Sequence, residues 1–518
     1  MTLTTAQTDR AAGVLLASAA GDALGVPYEF NHPPSAAELA EMKGGGLGNF
    51  APGEWSDDTS MAIAIAEVAA TGADLTSAEA LDAIASGFLR WFNDGPPDIG
   101  IQTSAVLNGT AALAAPDMPG IAEVMRREAA AYSRQHPHSA GNGALMRTAA
   151  VALAHLDDRE RLARAARLIS ELTHADPLAG DSCVLWCEAI RVAVGEARIQ
   201  VTAGLDLLPD ERREQWASWL KEAQTRPAGD FRPNGFTVVA LQAAVAAITS
   251  TSLGEPFECL HLQDALHAAV RIGDDTDTVA AVAGGLLGAR WGASAVPWRW
   301  RRAVHGWPGL DGRDLVSLAT LAASGGMSDG LGWPVSDVVE YEVQVSAASA
   351  PHPHDEGVLL GTHASHAHNA TAIVAACRIG RQQPTFGRAQ VVVESRLIDS
   401  DDHADNPNLE FLLYDAADAI RGLRSEGHMV LLHCVAAEQR TPSIAVAYSI
   451  LLGHDVEDAR RVIQSSLPST RGRGSVWDAV GRLSLSTTGE HPNSPTPGGR
   501  HGDNEPTKPQ CQPENHDV

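Results

Sequence analysis

Apolar residues return every three or four positions through most of the first 335 residues. The segments MAIAIAEVAATG (61–72), RLARAARLISELTHA (161–175), SCVLWCEAIRVAVGEA (182–197) and VVALQAAVAAI (238–248) all carry this spacing. A period near 3.6 predicts helices, and strand-like alternation is nearly absent, so residues 1–340 read as an all-α domain. Small residues dominate the apolar positions, which favours close approach between helices. The pattern breaks at SAASAPHPHDEG (346–357), whose Pro, His and Ser content marks a linker over 341–355. Beyond it, VVVESRLID (391–399) and HMVLLHC (428–434) suit buried parallel strands, while FLLYDAADAIRGLRSEG (411–427) and TPSIAVAYSILLG (441–453) have helical spacing. Residues 356–483 therefore read as a small α/β domain. From 484 to 518 the chain is polar and rich in Pro and Gly, the composition of a disordered tail.

Composition narrows the function classes. With 518 residues, 44% of them hydrophobic, the chain is too long for one core and apolar enough to fold as two or three domains. A net charge of −26 argues against a nucleic-acid surface, which needs clustered Lys and Arg. It leaves room for a phosphorylated small molecule held by local groups. The six cysteines are scattered, and Cys183 and Cys187 share a helix face rather than forming a zinc clip, as expected of a reduced, cytoplasmic protein. The first 25 residues lack a basic leader, and no apolar run reads as long enough to cross a membrane, so no membrane partner is expected.

Chemistry is concentrated at two helix starts. IGDDTDTVAAVAGGLLGARWG (272–292) places Asp274, Asp275 and Asp277 before a run of small apolar residues. One or two acids there would serve as caps, because carboxylates accept free N–H groups at the positive end of a helix. A third requires another use. EWSDDTSMAIAIAEVAA (54–70) has the same form with Ser56, Asp57 and Asp58, and GDALGVPYEF (21–30) adds Asp22 and Glu29. Carboxylates gathered at low dielectric repel unless protonated or neutralised by a cation. Carboxylates and hydroxyls are hard ligands for Mg²⁺, Mn²⁺ or Ca²⁺ rather than zinc, and two such ions could activate water or clamp a substrate. In GNGALMR (141–147), Gly141 and Gly143 let backbone approach a ligand, Asn142 offers an amide, and Arg147 could hold a phosphate.

Five motifs in order, GDALGVPYEF, WSDDTSM, SAGNGALMR, THADP and GDDTDTVAAVAGGLLGARWG, resemble the ADP-ribosylglycohydrolase family, which includes the dinitrogenase-reductase-activating glycohydrolases. The resemblance covers about the first 335 residues. It implies an all-α fold, a dinuclear Mg²⁺ or Mn²⁺ site and hydrolysis of ADP-ribose linkages in a protein or a small-molecule derivative. Carried onto this chain, the metal ligands are Ser56, Asp57, Asp58, Asp275, Asp277 and Thr278, with Asp274 left as a cap or supporting group. The general base is Asp57, Asp58 or Glu29. The loop Gly141, Asn142, Gly143, Met146 and Arg147, with His174 beside it, borders the ADP-ribose.

A separate pattern lies in VLLHCVAAEQRTPSIAVAY (430–448). Cys434 follows a strand and precedes a helix, a loop that aims N–H groups inward, cradles anions and favours a thiolate. Arg440 could hold phosphate in bidentate fashion and Thr441 could assist the leaving thiolate. His433, Cys434, Arg440 and Thr441 resemble the HCx5R[ST] signature of dual-specificity and tyrosine phosphatases. That resemblance implies a phosphorylated substrate and a general acid on the LIDSDDHADN loop, assigned to Asp399. Ala437 stands where such loops usually have Gly. The leading expectation is a metal-dependent ADP-ribosylglycohydrolase with a phosphatase-like domain behind it. The alternatives are an ADP-ribose sensor with inactive centres and a phosphatase regulated by the helical domain.

Overall fold

The computed structural model of the protein describes residues 2–365, 369–384, 387 and 389–485. The expected disordered tail lies outside the described residues from 486 onward.

The first helix, α1 (Thr5–Gly25), forms the centre of the helical domain. Thr4 and Gln7 exchange side-chain and backbone hydrogen bonds across its first turn (3.0 and 3.3 Å), which fixes where it begins. Every residue from Arg10 to Gly25 is buried. By length and a mean hydropathy of 1.2, α1 would be long enough to cross a membrane, contrary to the sequence expectation. Its apolar window is instead wholly enclosed by the other helices. The expectation missed it because Ala, Gly and Ser, rather than bulky side chains, make up the run.

Small residues also explain how α1 is enclosed. The helix α2 (Asp57–Ala69) packs near it, and α3 (Thr276–Trp291) runs antiparallel along its length at backbone contact. A Cβ built on Gly21 would lie 2.2 Å from the Ala280 carbonyl oxygen; one on Gly284 would lie 2.1 Å from that of Ala17. A Cβ on Gly288 would meet the Gly13 oxygen at 2.0 Å. Each Gly costs helix propensity of about 1 kcal/mol, and the dispersion contacts of two touching backbones offset that cost. At the far end Thr276 Oγ1 donates to the Gly25 carbonyl (2.8 Å). The crossing therefore delivers the C-terminal end of α1 to the N-terminal end of α3.

After a two-strand hairpin, β1 (His305–Gly306) with β2 (Leu310–Asp311), the chain enters the α/β part. Its strands are β3 (Ala350–His352), β4 (Asp355–Thr362), β5 (Ala372–Ala375), β6 (Val391–Glu394) and β7 (Val430–Cys434). They form one sheet in the order β3-β4-β7-β5-β6, parallel except for β3 against β4. The helices α4 (Leu409–Ser425) and α5 (Arg440–Leu451) follow β6 and β7 in the chain. Two strands were expected here, and β4 and β5 were missed. Their cores, GVLLG and AIVA, are short and mostly buried, so they lack the alternation that identifies a half-exposed strand. The expected linker 341–355 also proves to contain β3, where the buried His352 ring bonds the Ala445 carbonyl (3.1 Å).

The two parts are docked through buried polar contacts. Trp298 of the helical domain lies in the core of the α/β part; its backbone N–H donates to Asp415 and its indole N–H to Asp418, both at 2.8 Å. Arg301 pairs with the same Asp415 at 2.9 Å. Asn408 donates through Nδ2 to the Trp291 carbonyl (2.6 Å) and to Ser294 Oγ (2.8 Å). Asn408→Ala orphans that buried carbonyl and is expected to cost about 2 kcal/mol in urea unfolding. An unchanged midpoint would show that this contact does not secure the docking.

Candidate functional site

Three segments bring acids to one point. Asp22, fully buried near the end of α1, accepts from Ser56 N (2.9 Å), Thr59 N (3.0 Å) and Thr59 Oγ1 (2.6 Å). It thereby ties the start of α2 to α1. Ser56 caps α2, accepting from the Asp58 N–H (3.4 Å), and Asp58 Oδ1 accepts from Thr278 Oγ1 (2.9 Å) across the gap to α3. Asp277 accepts from Thr278 N (3.0 Å), and Asp275 accepts from Asn142 Nδ2 (2.8 Å). Glu29 arrives from the short turn Val26–Tyr28 that extends α1.

Two sets of three carboxylates each place one oxygen per residue within 4.8 Å: Asp22, Asp58 and Asp277, and Glu29, Asp275 and Asp277. Asp277 belongs to both. Burial pushes Glu29 up to about 9, helped by Asp275, Asp98 and Asp57, and pushes Asp57 up to about 8, helped by Asp98, Asp22 and Asp275. Burial raises Asp22 to about 6 and drives Asp58, Asp275 and Asp277 upward as well. The leading charged neighbours acting on Glu29, Asp57, Asp58 and Asp277 are carboxylates. Such a cluster must hold protons or bind cations. Its all-oxygen donors, acids with the Ser56 and Thr278 hydroxyls alongside, fit hard divalent ions.

The structure brings together Ser56, Asp58, Asp275, Asp277, Thr278 and Glu29 from the sequence-read set. Asp57 is half-buried beside them and stands outside both three-acid sets. Asp274 does not cap α3 through its side chain, while its backbone carbonyl accepts from Phe30 N (2.7 Å), next to Glu29. It takes a left-handed conformation (φ 62°) that turns its carboxylate away to pair with Arg232, and Asp275 occupies the position before the helix. Asn142 is already committed, since its Nδ2 serves both Asp275 and the Asn234 carbonyl (3.2 Å). Met146 packs its sulfur against Thr278.

Arg147 also differs from its expected use on phosphate. It is fully buried, its guanidinium over the Phe88 ring (4.5 Å) and donating to Thr173 Oγ1 (2.7 Å). Thr173 Oγ1, which accepts from Arg147, also lies 2.8 Å from His174 Nδ1. His174 Nε2 faces the Gly141–Gly143 turn, where a Cβ on Gly141 would lie 3.3 Å from it. Burial and then Arg147 lower His174 to about 3, so the ring is neutral.

Sequence reasoning noted Asp22 without assigning it a role, and missed Asp98 and Asn234. The first sits in a quoted motif; the other two stand alone in loops with no spacing to signal them. Asn234 accepts from Asp275 N (2.9 Å) and donates to the Gly273 carbonyl (3.0 Å), holding the turn before α3. Asn234→Ala is expected to cost about 2 kcal/mol in chemical denaturation, since it orphans two buried backbone groups.

In the α/β part, β7 ends at Cys434 and α5 begins at Arg440, as the sequence pattern implied. Ala437, buried in the loop between them, takes φ 56°, the left-handed conformation for which Gly is the usual residue. Among the described residues, no N–H of Val435–Gln439 finds an acceptor. Buried Arg440 Nε and Ser443 Oγ are also without hydrogen-bond partners there. Arg440 Nη1 donates to the Ala376 (2.7 Å) and Leu397 (3.3 Å) carbonyls, and Asp399 Oδ2 lies 3.5 Å from Nε. Glu438 turns outward to pair with Arg471 (3.3 Å), and Thr441 Oγ1 reaches the Gly361 carbonyl at 3.4 Å.

Comparison with known proteins places the helical part. A family model described as ADP-ribosylglycohydrolase matches residues 3–329. An ADP-ribosylarginine hydrolase, Tri1 of Pseudomonas putida (strain GB-1), is 29% identical over 309 residues, covering 57% of this chain and 74% of that protein. An ADP-ribosyl-(dinitrogen reductase) glycohydrolase of Rhodospirillum rubrum is 26% identical over 298 residues, covering 56% and 89%. A solved ADP-ribosylglycohydrolase-related protein complex is 27% identical, covering 62% of this chain and 100% of that chain, with a TM-score of 0.46.

Proposed function

The chain belongs to the ADP-ribosylglycohydrolase family, and from that premise we propose that it hydrolyses the C1″ bond joining ADP-ribose to an arginine side chain of a modified protein. The single observation that carries this reading is the buried carboxylate cluster, with Asp277 common to both of its halves. The arginine linkage is favoured because the Tri1 relative acts on ADP-ribosylarginine.

Asp22, Asp58, Asp277, Asp275 and Glu29, with the hydroxyls of Ser56 and Thr278, would hold two divalent cations, Mg²⁺ or Mn²⁺. When bound, these ions neutralise the acids and polarise water and ribose hydroxyls. The chain's own groups do the rest. The C1″–N bond breaks with its electron pair leaving on the arginine guanidino group. As water attacks C1″, Asp57, the more exposed acid of the pair, takes its proton and passes it to the departing guanidine. Neutral His174 presents Nε2 beside the Gly141–Gly143 turn, where backbone lies open to ribose or phosphate. Arg147 holds Thr173, which contacts His174 Nδ1. Asn142 orients Asp275.

The test is release of free ADP-ribose from arginine-ADP-ribosylated protein, with Mg²⁺, with EDTA and with Asp275→Ala. Release that requires both the ion and Asp275 supports the reading. Release that survives EDTA and Asp275→Ala refutes the metal assignment, and no release from this substrate refutes the arginine linkage.

The unpaired N–H groups of Val435–Gln439 favour a second reading, a phosphate-ester hydrolase centred on Cys434. The Cys434 thiolate attacks phosphorus, forming S–P as the bond to the leaving oxygen breaks, and that oxygen takes a proton from Asp399. Water then attacks phosphorus and returns its proton to Asp399; orthophosphate leaves and the thiolate is restored.

A further inference from the structure

The space beside the Cys434 loop is bordered by more than the α/β part. A cavity of about 350 Å³ lies there, lined on one side by Val435, Arg440 and Asp399 and on the other by Thr8, Asp9 and Trp333. Thr8 and Asp9 come from α1 and Trp333 from the segment that joins the two parts, so the helical domain supplies a roof to the second site.

That roof is tied down by arginines of the α/β part. Arg396 pairs with Asp9 at 3.0 Å, both groups largely buried, which limits screening by salt. Arg378 pairs with Asp329, and its backbone carbonyl accepts from Tyr341 Oη (2.7 Å). The Trp333 ring is contacted by both guanidiniums, Arg378 at 4.9 Å and Arg396 at 5.4 Å from its centroid, and only 6% of the residue is exposed. Trp333 and the Asp9–Arg396 pair stand beside Val435 and Arg440 in this cavity, so a folded phosphoprotein approaching there meets α1 as well as the α/β part.

Resting on the phosphate-ester reading, the geometry points to a small, soluble phosphate monoester as the substrate class of this shared site, in place of a phosphorylated side chain on a protein surface. The volume agrees, since pockets for small ligands span about 300–1,000 Å³, whereas recognition of a protein needs an open face of about 800 Å² per partner. The site is also separate from the acidic cluster. Asp9 and Asp22 are on the same helix, thirteen residues apart by their numbers, or about 20 Å at 1.5 Å per residue.

The experiment compares phosphate release by the full chain from p-nitrophenyl phosphate and ribose 5-phosphate with release from a phosphotyrosyl protein, using Cys434→Ser as the blank. The expected result is a kcat/KM on the order of 100-fold higher for the small esters. Thr8→Trp, which fills the cavity from α1, is expected to lower small-ester turnover at least about tenfold. Equal or faster turnover of the phosphoprotein overturns the roofed site and leaves the phosphate-ester reading standing. No release from any substrate, with no protection of Cys434 from alkylation by vanadate, overturns that reading and the inference with it.

Discussion

Asp277→Asn is expected to reduce ADP-ribose release more than about 100-fold and to abolish tight Mn²⁺ binding. Even partners that only support a metal ligand typically contribute 10–100-fold, and Asp277 is the carboxylate common to both three-acid sets. The substitution keeps the side-chain volume and an oxygen to accept the Thr278 N–H, so local geometry survives. It also removes a charge that burial, Glu29, Asp58, Asp275 and Asp22 all disfavour. In EDTA the variant is therefore expected to melt at or above the wild-type temperature, which separates loss of function from loss of fold. Calorimetric titration with Mn²⁺ and a thermal melt in EDTA check the two halves. Wild-type Mn²⁺ affinity in the variant would remove Asp277 from the site.

Gly284→Ala is expected to destabilise the protein by about 3 kcal/mol or more, the upper end for overpacking a tight core. The new Cβ would sit 2.1 Å from the Ala17 carbonyl oxygen, a contact with backbone rather than a flexible side chain. The gain in helix propensity, about 1 kcal/mol, does not offset it. Pushing α1 from α3 also strains the Thr276–Gly25 bond and separates Asp22 from Asp277, so ADP-ribose release should fall with stability. Gly195→Ala is the control, because nothing lies within 4 Å of its Cβ position and the same substitution should be neutral or slightly stabilising. Urea unfolding of the two variants side by side checks this. Equal midpoints would show that the α1–α3 contact can relax.

Much of this was legible in the residues. Helical spacing identified the first domain, because apolar period is local and survives without knowledge of neighbours. Ordered motifs grouped Ser56, Asp57, Asp58, Asp275, Asp277 and Thr278 as one expected ligand set, of which Asp58, Asp275 and Asp277 fall in the converging acid sets and Asp57 does not. Other features were not legible. GVLLG and AIVA are too short and too buried to alternate, so β4 and β5 left no periodic mark. Arg147 reads like any phosphate-binding arginine until its burial over Phe88 is known. Asp274 reads as a helix cap or supporting group until its backbone turns its side chain toward Arg232.

Local spacing and donor type, written residue by residue, carried the helical class of the first part, the oxygen donors of the acidic cluster and the strand–Cys434–Arg440–helix order. Which acids meet, and which helical-domain residues face the Cys434 loop, follow only from the fold. Convergence of Asp22, Asp58 and Asp277 depends on glycines that let α1 and α3 touch. The contact of α1 with the α/β part beside the Cys434 loop includes an ion pair between residues nearly four hundred positions apart, Asp9 and Arg396. No window of sequence contains both partners, so only the folded chain could bring them together.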